Sequence, residues 1–320
     1  MTYTEEQAQF FQELYTALDK ELKPEGAILQ EIEVPKNNTI KQGITVQFED
    51  QIIGATIYPE NFYQDFLRGV SLEDIVFHLK DELTSQNQIT AENIREMNHD
   101  NATHYLKTAV VSYKGNEDWL KDTPHERVAD LAVYGKWDFG NGYSAKVTDQ
   151  LLTHLKMTKE EMIKTAKGNM AMQSRLQTSG DALVSQMIQN GMPEEEAAEL
   201  KKALPDNQFL VLTVNGGTDG AALIADSSVM KKVSRDIGED YYILPSSVHE
   251  ALILPKSKCD MDIEELKHMV HDINQQEVSI EERLSDNVYE FNGRSLVLAG
   301  QTETMDREMP ALDLGIHHKR

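Results

Sequence analysis

Residues 209–245, FLVLTVNGGTDGAALIADSSVMKKVSRDIGEDYYILP, decide how the chain is read. Phe209–Val214 carries no charge and reads as a buried strand. The turn Asn215–Gly220 follows, and the apolar run Ala221–Ile224 is expected to return as the second strand of a hairpin. Asp226 or Ser227 caps a helix with Val229, Met230 and Val233 on its inner face, and Gly238 closes it. Tyr241–Leu244 then starts another strand, so the segment contains a strand-helix-strand passage ending at Pro245. Downstream, Ser246–Leu254 and Arg294–Leu298 add strand material, and Asp262–Asn274 forms a helix buried through Ile263, Leu266, Val270 and Ile273.

Upstream the pattern differs. Phe10, Phe11, Leu14, Tyr15 and Leu18 recur at helical steps after the cap Thr4, and alternation over Ala27–Val34, Ile40–Phe48 and Ile52–Tyr58 predicts three strands. Phe62, Tyr63, Phe66 and Leu67 share a helical face, and Ser71 caps a second helix through Leu79. Strands are expected at Tyr105–Tyr113, Val128–Trp137 and Tyr143–Val147, with a glycine-rich turn at Asp138–Gly142. Helix dominates from Thr148, with Thr158 and Glu161 spaced as a capping box.

The expected class is α+β. Antiparallel strands with covering helices make the first half, and a mixed sheet with the strand-helix-strand passage makes the second; α/β is the alternative. The shift near residue 150 divides an N-terminal region, 1–150, from a C-terminal region, 151–300. Two short helices at 173–204, broken by Gly180, Gly191 and Pro193, read as a mobile insertion, and the polar, aperiodic 301–320 as a disordered tail.

Composition narrows the function. Lys and Arg number 31 against 54 Asp and Glu, a net charge of −23. That surplus argues against nucleic acid as a direct partner and favours a protein partner, a basic one above all. The single cysteine, Cys259, excludes an internal disulfide and a thiolate metal cluster. The opening MTYTEEQAQF lacks a basic, then apolar leader, and no window has the roughly 18 apolar residues of a membrane span, so a cytoplasmic protein without a membrane partner is expected. No cofactor is implied: Asn215–Gly220 lacks the lysine of a phosphate loop and precedes an expected strand.

The densest chemistry is Pro245-Ser246-Ser247-Val248-His249-Glu250. His249 could serve as general base for Ser246 or Ser247, with Glu250 orienting it. The same residue types also make turns and caps, and neighbours in a chain point apart. His125 and Asp130 form a second candidate: facing His249 and Glu250 across one cleft, the four would offer nitrogen and oxygen ligands to a divalent metal. No complete catalytic arrangement can be assembled from these residues. The reading is therefore an accessory or protein-binding protein, with a small hydrolase or metal-dependent enzyme centred on 245–250 as the alternative.

Several blocks carry a family resemblance. They are Ile57-Tyr58-Pro59 with Phe62, Tyr63, Gly69 and Ser71; Asn116, Leu120, Pro124, His125, Asp130 and Leu131; Gly220-Ala221-Ala222; Ile243–Glu250; and Leu284-Ser285-Asp286-x-Val288-Tyr289. Together, from about residue 30 to 298, they resemble an uncharacterised family of low-GC Gram-positive bacteria catalogued as domain of unknown function 5688. The resemblance implies a chain of the kind often encoded on integrative or conjugative elements, and it brings no activity to Ser246, His249 or His125.

Overall fold

A computed structural model of the chain describes residues 3–49, 54–84, 99–140, 143–189, 191–203, 209–245 and 247–300. Ser246 and the expected tail 301–320 lie outside them. The described strands form three sheets, and every strand pair is antiparallel. With the helices arranged on them, the fold is α+β.

The first sheet has the order β1 (Ala27–Lys36), β2 (Thr39–Phe48), β3 (Ala55–Ile57). Helices α1 (Glu5–Leu22), α2 (Pro59–Leu67) and α3 (Leu72–Thr84) cover it. Thr4 and Gln7 form a capping box for α1, whose Phe10, Phe11, Leu14, Leu18 and Leu22 are buried with Leu29, Ile44 and Val46. Pro59 occupies the first turn of α2, and Ser71 Oγ accepts from the Asp74 backbone at the start of α3.

The second sheet joins β4 (Leu106–Ser112), β6 (Leu131–Gly140) and β5 (His125–Val128), with β7 (Tyr143–Lys146) also on β6. The one-turn helices α4 (His99–Ala102) and α5 (Glu117–Leu120) precede β4 and β5. Leu131–Gly135 is buried throughout because both faces of β6 are covered. On one face lie Leu120, Trp119 and Tyr134; against the other pack α6 (Asp149–Leu155) and α7 (Lys159–Met172) through Leu152, Met162 and Ala166. Gly135 makes this approach possible: a Cβ there would stand 2.2 Å from Met162 Sδ. Helices from beyond residue 150 thus cover a sheet built before it.

The third sheet runs β13 (Leu296–Leu298), β12 (Tyr289–Phe291), β10 (Tyr241–Leu244), β11 (Ala251–Pro255), β9 (Leu210–Val214), β8 (Ser174–Thr178). Between β8 and β9 stand α8 (Ser179–Gln189) and α9 (Glu194–Ala203). The strand-helix-strand passage is present: β9 and β10 run in one direction through α10 (Ser227–Ile237), with β11 lying antiparallel between them. Asp226 caps α10 and Gly238 ends it at φ +76°, as the sequence predicts. α11 (Ile263–Gln276) opens on an Asp262–Glu265 capping box and packs Leu266 and Val270 against Leu244 and Leu254. The largest core joins Val110, Leu131 and Val133 of the second sheet to Leu212, Ile243 and Ile253 of the third.

Four local expectations are corrected. Gly220–Ala225 is a 3₁₀-helix and not the second strand of a hairpin, since a short buried apolar run suits either state and contacts decide between them. Ser174–Thr178 is strand β8, paired with β9 from Ser174↔Val214 to Thr178↔Leu210, where helix was expected. As an edge strand it buries little and needs few apolar residues. β12 was not anticipated. The strand expected from Val128 is two strands, β5 and β6, turning at Ala129, whose φ is +53°.

Candidate functional site

The loop 245–250 joins β10 to β11, whose pairing ends at Leu244↔Leu252. The Ser247 N–H donates to the Glu250 carbonyl at 3.3 Å, and Ser247 Oγ accepts from the His249 N–H at 3.0 Å. Ser247 therefore shapes the turn. His249 is held from three sides. Its carbonyl accepts from Thr213 Oγ1 at 3.1 Å, its Nδ1 accepts from the Asp219 N–H at 3.3 Å, and its Nε2 faces Glu282 Oε1 at 3.5 Å. The backbone donor at Nδ1 selects the tautomer with hydrogen on Nε2, directed at the Glu282 carboxylate.

The glycine-rich turn supplies the opposite wall. Asp219 adopts φ +61°, and its carboxylate receives Lys136 Nζ at 2.7 Å. Gly220 fits against the loop so closely that a Cβ would lie 2.4 Å from the His249 oxygen and 2.6 Å from Thr213 Oγ1. Burial pushes the Glu250 carboxyl above its ordinary range, with His249 opposing the rise. Burial, reinforced by Asp219, likewise raises the Tyr134 hydroxyl.

His125 opens β5, and Asp130 lies in the turn between β5 and β6. His125 donates from Nδ1 to the Thr123 carbonyl at 2.8 Å, and its ring lies 6.0 Å from that of Tyr113. Asp130 accepts from Ser285 Oγ at 3.1 Å, Asn287 Nδ2 at 2.9 Å and Tyr289 Oη at 2.7 Å. The metal set His125, Asp130, His249 and Glu250 does not assemble: among the described residues no three His, Cys, Asp or Glu side chains gather as ligands. His249 and Glu250 remain together, with Glu282 and Asp219 as the partners that sequence reasoning missed.

The Glu282 contact of His249 and the three donors to Asp130 share one segment, 279–289. Besides Glu282 and the donors to Asp130, it offers its carbonyls to the β1–β2 hairpin tip: Asn37 Nδ2 donates to Glu281 and Arg283, and Asn38 Nδ2 to Ile280 and Arg283. Asn116, only 1 % exposed, donates to both hairpin asparagines and accepts from Trp119 Nε1 at 2.9 Å. Lys41 completes the joint between Glu60 and Glu281. The polar residues form a seam uniting all three sheets, and its signal in the sequence was the Leu284–Tyr289 block.

No curated protein and no solved structure matches the chain. A family model does match, over residues 7–293, a span that takes in the hairpin tip, Asp130, the 245–250 loop and the 279–289 segment alike. The seam therefore lies wholly inside the matched region, and the chain belongs to the family of unknown function DUF5688.

Proposed function

We propose that this protein is a cytoplasmic accessory factor that binds a basic protein through its acidic surface, imitating the charge of nucleic acid. We further propose that it serves a mobile genetic element of a low-GC Gram-positive bacterium. The observation that carries the binding role is the division of labour among polar residues. Those best suited to catalysis, Ser247, His249, His125 and Asp130, have partners within the chain's own turns and joints. The excess carboxylates stand in solvent, as in the exposed first turns of α1 (Glu5, Glu6), α9 (Glu194, Glu195, Glu196) and α11 (Glu264, Glu265). A surface with 54 acidic residues against 31 basic ones attracts cationic partners and speeds their encounter.

The alternative, a small hydrolase or metal-dependent enzyme at 245–250, has less support. Both ring nitrogens of His249 are engaged, by Asp219 and by Glu282. A basic nucleoid protein titrated into the full chain is expected to bind at low salt. Its affinity should fall steeply between about 0.1 M and 1 M, where the Debye length contracts from about 10 Å to about 3 Å. Absence of binding at low salt, or binding unchanged at about 1 M, overturns the reading.

A further inference from the structure

Strand β1 is the longest edge strand among the described residues, and none of their strands pairs with its outer side. The hairpin fixes which backbone groups face that side. Asn37 and Asn38 make the turn and Lys36 pairs with Thr39, so Lys36 and every second residue before it direct N–H and C=O to β2. Leu29, Glu31, Glu33 and Pro35 direct theirs outward. Side-chain contacts agree: the Leu29 carbonyl accepts from Tyr15 Oη at 3.2 Å and the Pro35 carbonyl from Lys146 Nζ at 2.8 Å. Pro35 has no N–H to offer, which ends the usable edge before the hairpin tip. Between these two stops, the N–H and C=O of Glu31 and Glu33 have no partner among the described residues. Such an edge is a template for one more strand.

The side chains select that strand. Glu31 and Glu33 are exposed and lie on the α1 face, where with Gln12 and Tyr15 they line a cavity of about 340 Å³ that reaches the buried Phe11 and Ile44. Gln12 Nε2 donates to Glu31 at 2.8 Å, which leaves the charge in place, and neither carboxylate has an ion-pair partner among the described residues. The opposite face of β1 carries Ile28, 60 % exposed, with the half-buried Ile32 and Val34.

A second copy of β1 laid on this window would set carboxylate against carboxylate, so the edge disfavours pairing with itself. A strand with lysine or arginine on one face and apolar side chains on the other matches both faces. Its cations meet Glu31 and Glu33, their stems can lean toward Phe11 and Ile44, and its apolar side chains extend the surface of Ile28, Ile32 and Val34.

Resting on the reading that the protein binds a basic partner, we propose that this partner adds one extended segment of alternating basic and apolar residues to the edge of β1, hydrogen-bonded to the backbone of Glu31 and Glu33. Fluorescence anisotropy of the full chain at low salt, with a labelled synthetic peptide of about seven alternating lysines and valines, tests it. The peptide is expected to bind and to slow hydrogen exchange at the Glu31 and Glu33 amides. The same peptide N-methylated at alternate amides along its bonding edge keeps its charge and should bind at least roughly tenfold more weakly. Glu31→Gln/Glu33→Gln should weaken the unmethylated peptide by a similar factor with melting unchanged, and Glu33→Pro, which also removes an outward N–H, should weaken it more than Glu33→Gln. Equal binding of the methylated peptide, or parent-like binding by the double variant, overturns the proposal. If the basic nucleoid protein binds while the alternating peptide does not, the strand addition falls and the acidic-surface reading stands; if neither binds, both fall.

Discussion

Lys146 shows how one side chain can work against the fold that holds it. Its ammonium lies 3.8 Å from the Trp119 ring centre and donates to the Pro35 carbonyl at 2.8 Å, with no carboxylate partner among the described residues. Burial, then Lys36 and Lys136, push it down from 10.5 to about 8. Because the folded value is the lower one, the unfolded chain binds more protons between about pH 8 and 10.5, and stability should rise with pH across that window. Below it, the buried charge costs roughly 3 kcal/mol. Lys146→Met is therefore expected to stabilise by about 2 kcal/mol at pH 7, after about 1 is lost with the Pro35 bond. Above pH 10.5 only the lost Pro35 bond remains and the variant should be about 1 kcal/mol less stable, and urea denaturation at the two pH values checks it. Glu250 offers the mirror case. Its folded value is raised, so its contribution favours the fold at acid pH and is lost as pH rises through that value. Glu250→Gln should accordingly be more stable than the parent at pH 7 and similar to it at pH 3, which parallel melts would show.

At the scale of elements, close approach and polar ties set the costs. Gly135→Ala drives a Cβ into Met162, which is fully buried, and should destabilise by about 1–3 kcal/mol. Gly135→Ala with Met162→Ala should recover part of that loss, because the clash is with this side chain; a strictly additive pair in chemical denaturation would show the strain to lie elsewhere. The two candidate loops should also differ. His249→Ala removes one acceptor for the Asp219 N–H and one donor to Glu282, while Val248 still donates to the Glu282 carbonyl, so about 1 kcal/mol is expected. Asp130→Ala leaves three donors without their acceptor, including the hydroxyl of Tyr289, a residue with 0 % exposure, and should cost about 3 kcal/mol. Equal melting of the two variants would show that the loops matter alike.

Across the whole molecule, cores and seam tie early residues to late ones. Trp137 is covered by α6 and α7, and Val133 shares a core with Leu212 and Ile253, so residues 1–150 expressed alone should expose indole and lack cooperative melting. A sharp transition of that fragment would show that the first two sheets fold without their cover. Much of the architecture was legible from local signals. The Thr4 cap of α1, the Asp226 and Gly238 ends of α10 and the alternation of β1 and β2 arise from interactions within a few residues or from simple period, which a sequence displays directly. The polar density of Ser247–Glu250 and the isolated pair His125 and Asp130 were visible in the same way. Their roles were not. Asp130 meets its three donors 155 to 159 residues along the chain, His249 meets Asp219 from 30 residues away, and Ala221–Ile224 is helical where Gly220 lies against Thr213 and His249. The sequence by itself determined the segments with strong caps or a clear period and where the charge lies, while short apolar runs and the edge strand β8 took their state from packing. Tertiary structure alone decided which polar groups meet, because such contacts depend on the packing of whole sheets, for which neighbouring residues carry no signal.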